Sequence, residues 1–446
     1  MEDLYKKFLA SSGVCTDSRN VAEKCIYFAL KGNSFDGNLF AEEALNKGAL
    51  YAVVDNPSIK LSERTILVED VLTTLQKLAN YHRRKLKTPI IAITGSNGKT
   101  TTKELIKSVL SEAFNVVATE GNLNNHIGVP LTILSITPET EIAIVEMGAN
   151  HPKEIEFLCS IAEPDYGYIT SIGKAHLEGF GSFEGVVKAK GELYDYLKQQ
   201  NKTIIFNNND ELQKKLLSDY QNVYSFGNEP EVNVFVECLG VNPVEISFRE
   251  TSVSEVLNAS EEVTGTLEIE DFSSEKIKIK SNLVGKYNFT NIAAAIAFAR
   301  FFKISSEAIK RGVEKYVPKN NRSQIINQQT NTILLDAYNA NPSSMSEAIM
   351  NAVEIQGFKK KILVLGDMFE LGDYAAQEHQ NIVNLVEKNT WEKVFLVGEN
   401  FFKTKSKYPK FKTFEDFQKV FALKDFSNSF ILIKGSRGMA LERILK

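Results

Sequence analysis

At 446 residues the chain is long for one compact core, and at roughly 100 to 200 residues per domain it predicts two to four domains, three fitting the pattern best. Hydrophobic residues make up 43% and charged residues 24%, a globular composition that excludes a disordered or fibrous chain. The formal net charge of -4, from 52 basic and 56 acidic residues, offers no polyanion-binding surface and argues against nucleic acid as a partner.

The opening MEDLYKKFLASSG lacks the apolar stretch of a signal peptide, and no apolar run reaches the roughly 18 residues needed to span a bilayer. A cytoplasmic protein without a membrane span is expected. Residues 1–86 contain short β-like pieces, CIYFAL, ALYAVV and TILVED, followed by a helical stretch from about 70 to 86. Cys15, Cys25, Cys159 and Cys238 are scattered without a CxxC pair and read as reduced packing residues. The basic segment YHRRKLKT stands just before Pro89, and the residue before a proline is biased toward extended structure, so a domain boundary fits there.

From 87 to 318 apolar runs recur with helical patterns between them: IIAITG, NVVAT, EIAIVEMG, YGYITSIG and TIIFN. Strands alternating with helices predict an α/β domain with a parallel, doubly wound sheet covered on both faces. Between about 229 and 282 the pattern turns to polar and apolar alternation in VNVFVECLG, VEISFRE, GTLEIED and KIKIKSNLVG, which predicts a small antiparallel appendage. It ends at a helix, NFTNIAAAIAFARFF. From 319 to 446 the α/β alternation resumes with TILLDAYNANP, KILVLGDMFELG, KVFLVGEN and FILIKGSRGMALERIL.

The stretch PIIAITGSNGKTTTKELIKSVL reads as a buried strand, a glycine turn and a helix. A phosphate-binding loop needs backbone N–H groups aimed at one point, a helix N-terminus, a lysine and a metal-facing hydroxyl. Thr94, Gly95, Ser96, Asn97, Gly98, Lys99, Thr100 and Thr101 supply them, Lys99 as the cation and Thr100 or Thr101 as the hydroxyl. Ile93 stands where the common GxxxxGK[ST] form has its first glycine, so the loop is a shorter one. The competing reading is a turn that merely joins strand to helix. Glu146 closes the apolar run IAIVE, and His176 follows the next one, at the sheet edge where ligands of open α/β folds gather. Each has a structural reading as well.

In SFEGVVKAKGELYDYLK the apolar stripe is Val186, Val187, Leu193, Tyr194 and Leu197. Lys190, four after Val186 and three before Leu193, points inward, whereas Lys188 shares the opposite, solvated face with Glu192 and Asp195. A desolvated lysine tends to lose its proton and become a nucleophile; the alternative is a snorkelling side chain.

These residues resemble the Mur ligases, whose shortened TGSNGKTT loop is shared with the folylpolyglutamate synthases. The resemblance extends over essentially the whole chain through TDSR (16–19), ALKGNSFDGN (29–38), GNLNNHIGVPLTIL (121–134), VEMGANH (145–151), DAYNANPSSM (336–345), VLGDMFELG (364–372) and KGSRGMALE (434–442). It implies three domains: residues 1–86 for the UDP part of a substrate, 87–318 as a central P-loop ATPase-like unit, and 319–446 as a Rossmann-like unit. It implies ATP, with Lys99 at the β and γ phosphates, and two magnesium ions held by Thr100, Glu146, His176 and a carbamate on Lys190. Asn288 and Asn291 match adenine contacts, and Arg322, Asp336 and Tyr338 match nucleotide positions of the third domain. Thr16, Asp17, Ser18, Arg19 and Asp36 match the UDP-sugar module, and Asn124, Asn125, His126, Asn339 and Asn341 lie in loops that reach toward substrate. Tyr287 and Asn38 stand where family members often have histidine, and altered local contacts are expected there. The implied reaction is ATP-driven amide formation between UDP-N-acetylmuramoyl-tripeptide and D-alanyl-D-alanine by a monomer. The nearest rival is another ligase of the superfamily, such as the one that adds the third peptide residue. That enzyme should carry a DNPR-type motif where this chain has DAYNANPSSM.

Overall fold

The computed structural model describes residues 1–59, 62–250, 276–319 and 321–445. It is an α/β structure built on three main sheets. The expected strand in GTLEIED lies outside the described residues.

Strand Ile90–Thr94 shows why the central sheet is covered on both sides. All five of its residues are buried, and successive side chains point to opposite faces. Ile90 and Ala92 join a core with Leu78, Val145 and Leu193, while Ile91 and Ile93 join a second one with Leu105, Ile106 and Ile292. Each face therefore takes helices: Lys99–Leu110 and Lys286–Phe301 on one side, Phe183–Gln199 and Glu154–Ala162 on the other.

Within this sheet Ile90–Thr94 lies between Tyr166–Ile169 and Ile142–Glu146, with Val116–Ala118 at one edge. In the other direction follow Thr203–Asn207, Val223–Gly227 and Val234–Val241, still parallel. The antiparallel strands Val244–Glu250 and Ile277–Lys280 then continue the same sheet. Strand Ile90–Thr94 thus sits well inside the sheet, with Glu146 on the neighbouring strand in register with Ile93.

Residues 14–67 carry four short parallel strands, Val14–Cys15, Ile26–Phe28, Tyr51–Val54 and Thr65–Leu67. The third sheet runs Gln324–Gln328, Asn331–Asp336, Ser429–Lys434, Lys360–Gly366, Lys393–Val397 and Lys410–Phe411, its first pairing antiparallel and the rest parallel.

The basic stretch before Pro89 is not an open linker. Helix Val71–Lys85 takes up its first part, to Lys85, and packs on Gly128–Leu134 and Glu154–Ala162. Arg83 is buried because the second unit satisfies its guanidinium: it donates to Ala162 O at 2.9 Å, Glu163 O at 2.8 Å and Asp165 Oδ2 at 2.7 Å. His82 likewise bonds Ile136 O at 2.9 Å. All four cysteines are free thiols, with Cys25 and Cys159 buried and Cys238 exposed. Among the described residues no helix is long and apolar enough to cross a membrane.

Candidate active site

The loop after Thr94 is held open by backbone geometry that glycine alone adopts easily. Gly95 has φ +142°, and a Cβ there would lie 2.1 Å from Thr170 Oγ1; Gly98 has φ +80° and sits 2.6 Å, measured from an ideal Cβ, from Asn291 Oδ1. The loop that follows the neighbouring strand Tyr166–Ile169 fastens it through two carbonyls and one hydroxyl. Ser96 N donates to Ser171 O at 2.8 Å, Asn97 N to Ser171 Oγ at 3.1 Å, and Ser96 Oγ to Gly173 O at 3.0 Å. Thr94 Oγ1 donates to Met147 O at 2.7 Å and so ties the loop strand to the segment after Glu146. Helix Lys99–Leu110 starts at once, and its first N–H groups have no intrahelical acceptor.

A cavity of about 520 Å³ opens over this helix start, between the second and third units. Ser96, Asn97, Gly98, Lys99, Thr100 and Thr101 line its floor. Glu146, His176, Asn124, Asn125 and His126 line one side; Asn288, Asn291, Arg322, Asp336, Tyr338 and Asn339 line the other. Thr94 and Gly95 lie beneath the loop, outside the lining. Thr16, Asp17, Ser18, Arg19 and Asp36 are also outside it, on the first unit. There Arg19 pairs with Asp17 at 2.8 Å, and Asp36 Oδ1 accepts from Asn38 N at 2.9 Å. Asn38 is buried and ties Asp36 to Asp55, donating to Asp55 Oδ1 at 2.9 Å. Asn341 is likewise outside the lining and faces the loop: its Nδ2 donates to Asn97 Oδ1 at 2.7 Å.

Charge is concentrated at the floor. Lys99 Nζ donates to Gly95 O at 2.7 Å and Ser96 O at 3.2 Å. Burial, helped by Arg322, pushes its ammonium below the ordinary lysine value, and Glu146 and Glu370 act against that shift. Glu146 is 1% exposed. Its Oε1 accepts from Asn124 Nδ2 at 2.8 Å, while Oε2 is buried without a hydrogen-bond partner. A buried carboxylate oxygen left unpaired is costly, and a hard cation is the partner that suits it. Among the described residues no three His, Cys, Asp or Glu side chains form a ready-made metal cage.

Lys190 lies behind the wall of the cavity, 1% exposed, donating to Ala149 O at 3.2 Å and standing 5.2 Å from the centre of the Phe180 ring. Burial first, then Lys99, pushes its ammonium down to about 7; Glu154 and Glu192 oppose the shift. Its amine is therefore neutral for much of the time near neutrality, the form that reacts with carbon dioxide. Lys188 is exposed as expected, but Glu192 is not. Its carboxylate is buried because it accepts the N–H groups of Lys153 at 2.7 Å and Glu156 at 3.1 Å at the start of helix Glu154–Ala162, where donors are unpaired and the helix dipole favours an anion.

On the far wall the Arg322 guanidinium lies 3.5 Å from the centre of the Tyr338 ring, with Arg437 at 5.3 Å from it. Asp336 Oδ2 pairs with the buried Lys434 at 2.6 Å, and Lys434 also donates to Asn339 O at 3.2 Å. Asn288 and Asn291 bond to each other at 2.9 Å, and Asn291 Oδ1 accepts from Thr102 Oγ1 at 3.0 Å. Tyr287 OH meets Ser323 Oγ at 3.0 Å, a contact bridging the second and third units.

Glu370, Lys434 and Arg437 fall within the stretches VLGDMFELG and KGSRGMALE but carry no role in the sequence reading, and all three line the cavity. A signal existed for Lys434: it closes the buried strand Ser429–Lys434 just before a glycine, as Glu146 closes its own strand. Glu370 sits in an irregular loop with φ +62°, and no local pattern announces it.

Three family models cover this architecture: "Mur ligase family, catalytic domain" over residues 11–93, "Mur ligase middle domain" over 93–299 and "Mur ligase, glutamate ligase domain" over 321–437. The UDP-N-acetylmuramoyl-tripeptide--D-alanyl-D-alanine ligase of Bacillus subtilis (strain 168) is 34% identical, the alignment covering 97% of this chain and 92% of that protein. The chain belongs to the Mur ligase family. The enzyme of the same name from Escherichia coli (strain K12) is 31% identical to this Mur ligase over 97% of the chain and 92% of its own length. The crystal structure of the MurF ligase of Thermotoga maritima in complex with ADP superposes with a TM-score of 0.82 at 28% identity, covering 100% of this chain and 97% of that one.

Proposed function

We propose that this Mur ligase joins D-alanyl-D-alanine to the terminal carboxylate of UDP-N-acetylmuramoyl-tripeptide, with ATP converted to ADP and phosphate, as a cytoplasmic step of peptidoglycan precursor synthesis. The names of the relatives in Bacillus subtilis and Escherichia coli support the substrates, and the ADP complex of the Thermotoga maritima enzyme supports the nucleotide. The observation that carries the reading is the cavity floor. A glycine-built loop, a helix N-terminus and Lys99 face one space, and the unpaired oxygen of Glu146 is buried at its side.

In this reading residues 1–86 hold the UDP end through Thr16–Arg19 and Asp36, residues 87–318 hold the triphosphate, and residues 319–446 close over it. Lys99 and the loop N–H groups bind the β and γ phosphates. Asn288, Asn291, Arg322, Asp336 and Tyr338 bind the nucleoside side. Asn124, Asn125, His126 and Asn339 face the peptide acid. Thr100, Glu146, His176 and a carbamate on Lys190 would hold magnesium, which when bound shields charge on the phosphoryl oxygens. The peptide carboxylate attacks the γ phosphorus and ADP leaves, giving an acyl phosphate. The neutral amine of D-alanyl-D-alanine attacks its carbonyl carbon, and the tetrahedral intermediate expels phosphate and loses a proton to give the amide. The chain's contribution is to hold two anions together and keep them aligned, which is where most of the rate enhancement of such transfers arises.

A phosphate-release assay with each substrate omitted in turn tests this. Release requiring the UDP-tripeptide and D-alanyl-D-alanine together supports it; equal release with glutamate or a diamino acid in place of the dipeptide would move the chain to another branch of the superfamily.

A further inference from the structure

Segment 367–378 of the third unit seats itself on segment 174–181 of the second. Lys174 pairs with Glu378 at 2.7 Å, Tyr374 OH donates to Gly181 O at 3.1 Å, and Glu178 N donates to the backbone carbonyl of Glu370 at 3.3 Å. The approach to Glu370 is fixed as well, since Met368 N donates to His379 Nε2 at 3.0 Å and Phe369 N to Ser436 Oγ at 2.9 Å. At the centre of this seam the Glu370 carboxylate comes within 2.5 Å of His176 Nδ1. Both residues are in the left-handed backbone region, with φ +51° for His176 and +62° for Glu370. Such backbone persists only where its surroundings over-determine it, and it concentrates at working sites.

His176 Nδ1 is buried and no other polar group among the described residues satisfies it, so with the ring hydrogen on Nδ1 the Glu370 carboxylate is the acceptor within reach and the lone pair is kept on Nε2. That is the tautomer a histidine uses when a carboxylate behind it prepares it to ligate a cation in front. We propose that Glu370 is a positioning residue that sets the tautomer and orientation of His176 from the opposite domain, so that cation binding at His176 and docking of the third unit favour each other. The inference rests on the proposed nucleotide and cation site. By linkage, whatever docking adds to cation affinity the cation returns to docking.

The test uses the full-length protein with ADP and Mn2+ as the probe, titrated by electron paramagnetic resonance, and the radius of gyration measured by X-ray scattering with and without Mn2+. Glu370→Ala is expected to weaken Mn2+ binding ten- to a hundredfold and to abolish the metal-dependent compaction. Glu370→Gln, whose amide oxygen accepts the same N–H, is expected to restore most of the affinity. Wild-type affinity in Glu370→Ala, or equal losses in the Ala and Gln variants, overturns the proposal. His176→Ala separates the two levels: if it binds Mn2+ normally, the cation site itself is misplaced and this inference falls with it, whereas a loss in His176→Ala alone overturns only the role of Glu370.

Discussion

The side-chain amides of Asn97 and Asn341, 244 positions apart, bond to each other in both directions. Asn341 Nδ2 donates to Asn97 Oδ1 at 2.7 Å, and Asn97 Nδ2 reaches Asn341 Oδ1 at 3.5 Å. Asn341 also caps helix Pro342–Glu354 by accepting from Ser344 N at 2.9 Å. One side chain therefore starts a helix of the third unit and holds the phosphate loop of the second. Asn97→Ala is expected to raise the KM for ATP several-fold with unchanged stability, because the cap survives. Asn341→Ala should raise KM similarly and also cost about 1 kcal/mol in urea unfolding. Equal KM values in wild type and both variants would show that the pair does not steady the loop.

Lys99→Ala removes the cation from the cavity floor while leaving Gly98 to start the helix. Phosphate release with all substrates present should fall by about a thousandfold, an electrostatic loss of the size seen when a preorganised charge is deleted, with the circular dichroism spectrum intact. Normal release from a folded Lys99→Ala protein would remove the loop from the reaction.

Burial, then Lys99, pushes the Lys190 ammonium down to about 7, so its neutral fraction rises as pH increases through that value. Carbamate formation, in which the amine adds carbon dioxide and releases a proton, should follow. At a fixed pressure of 13C-labelled carbon dioxide a protein carbamate resonance is expected to grow from pH 6 to pH 8 and to be missing in Lys190→Ala. No resonance in the wild-type protein at pH 8 would exclude the modification.

Arg83 joins the first unit's last helix to the second unit through the carbonyls of Ala162 and Glu163 and the half-buried carboxylate of Asp165. Asp165 keeps Lys202 at 2.7 Å and Ile90 N at 3.0 Å, so its charge is not stranded. Arg83→Met should therefore cost about 2 kcal/mol of stability, less than a fully broken buried pair. A loss under about 0.5 kcal/mol in urea unfolding would mean that the helix docks by its apolar face alone.

Local pattern made some of this legible and geometry across the chain the rest. The strand Ile90–Thr94 and its loop are readable because unbroken burial, two glycines and a helix start are contiguous. The inward direction of Lys190 follows from spacing on one helix. The burial of Glu192 on that same helix does not, since the donors that draw it in belong to another element, Glu154–Ala162. Strands of two residues, Val14–Cys15 and Lys410–Phe411, leave no alternation to read. Asn97 with Asn341, and His176 with Glu370, meet only when two units dock, and no window along the chain contains either pair.

The reaction proposed for the cavity is tested most directly by oxygen tracing. With 18O in the terminal carboxylate of UDP-N-acetylmuramoyl-tripeptide, transfer of the γ phosphoryl group to that acid predicts one 18O atom in the inorganic phosphate released for each amide formed. Phosphate free of label, or label recovered in AMP, would contradict it.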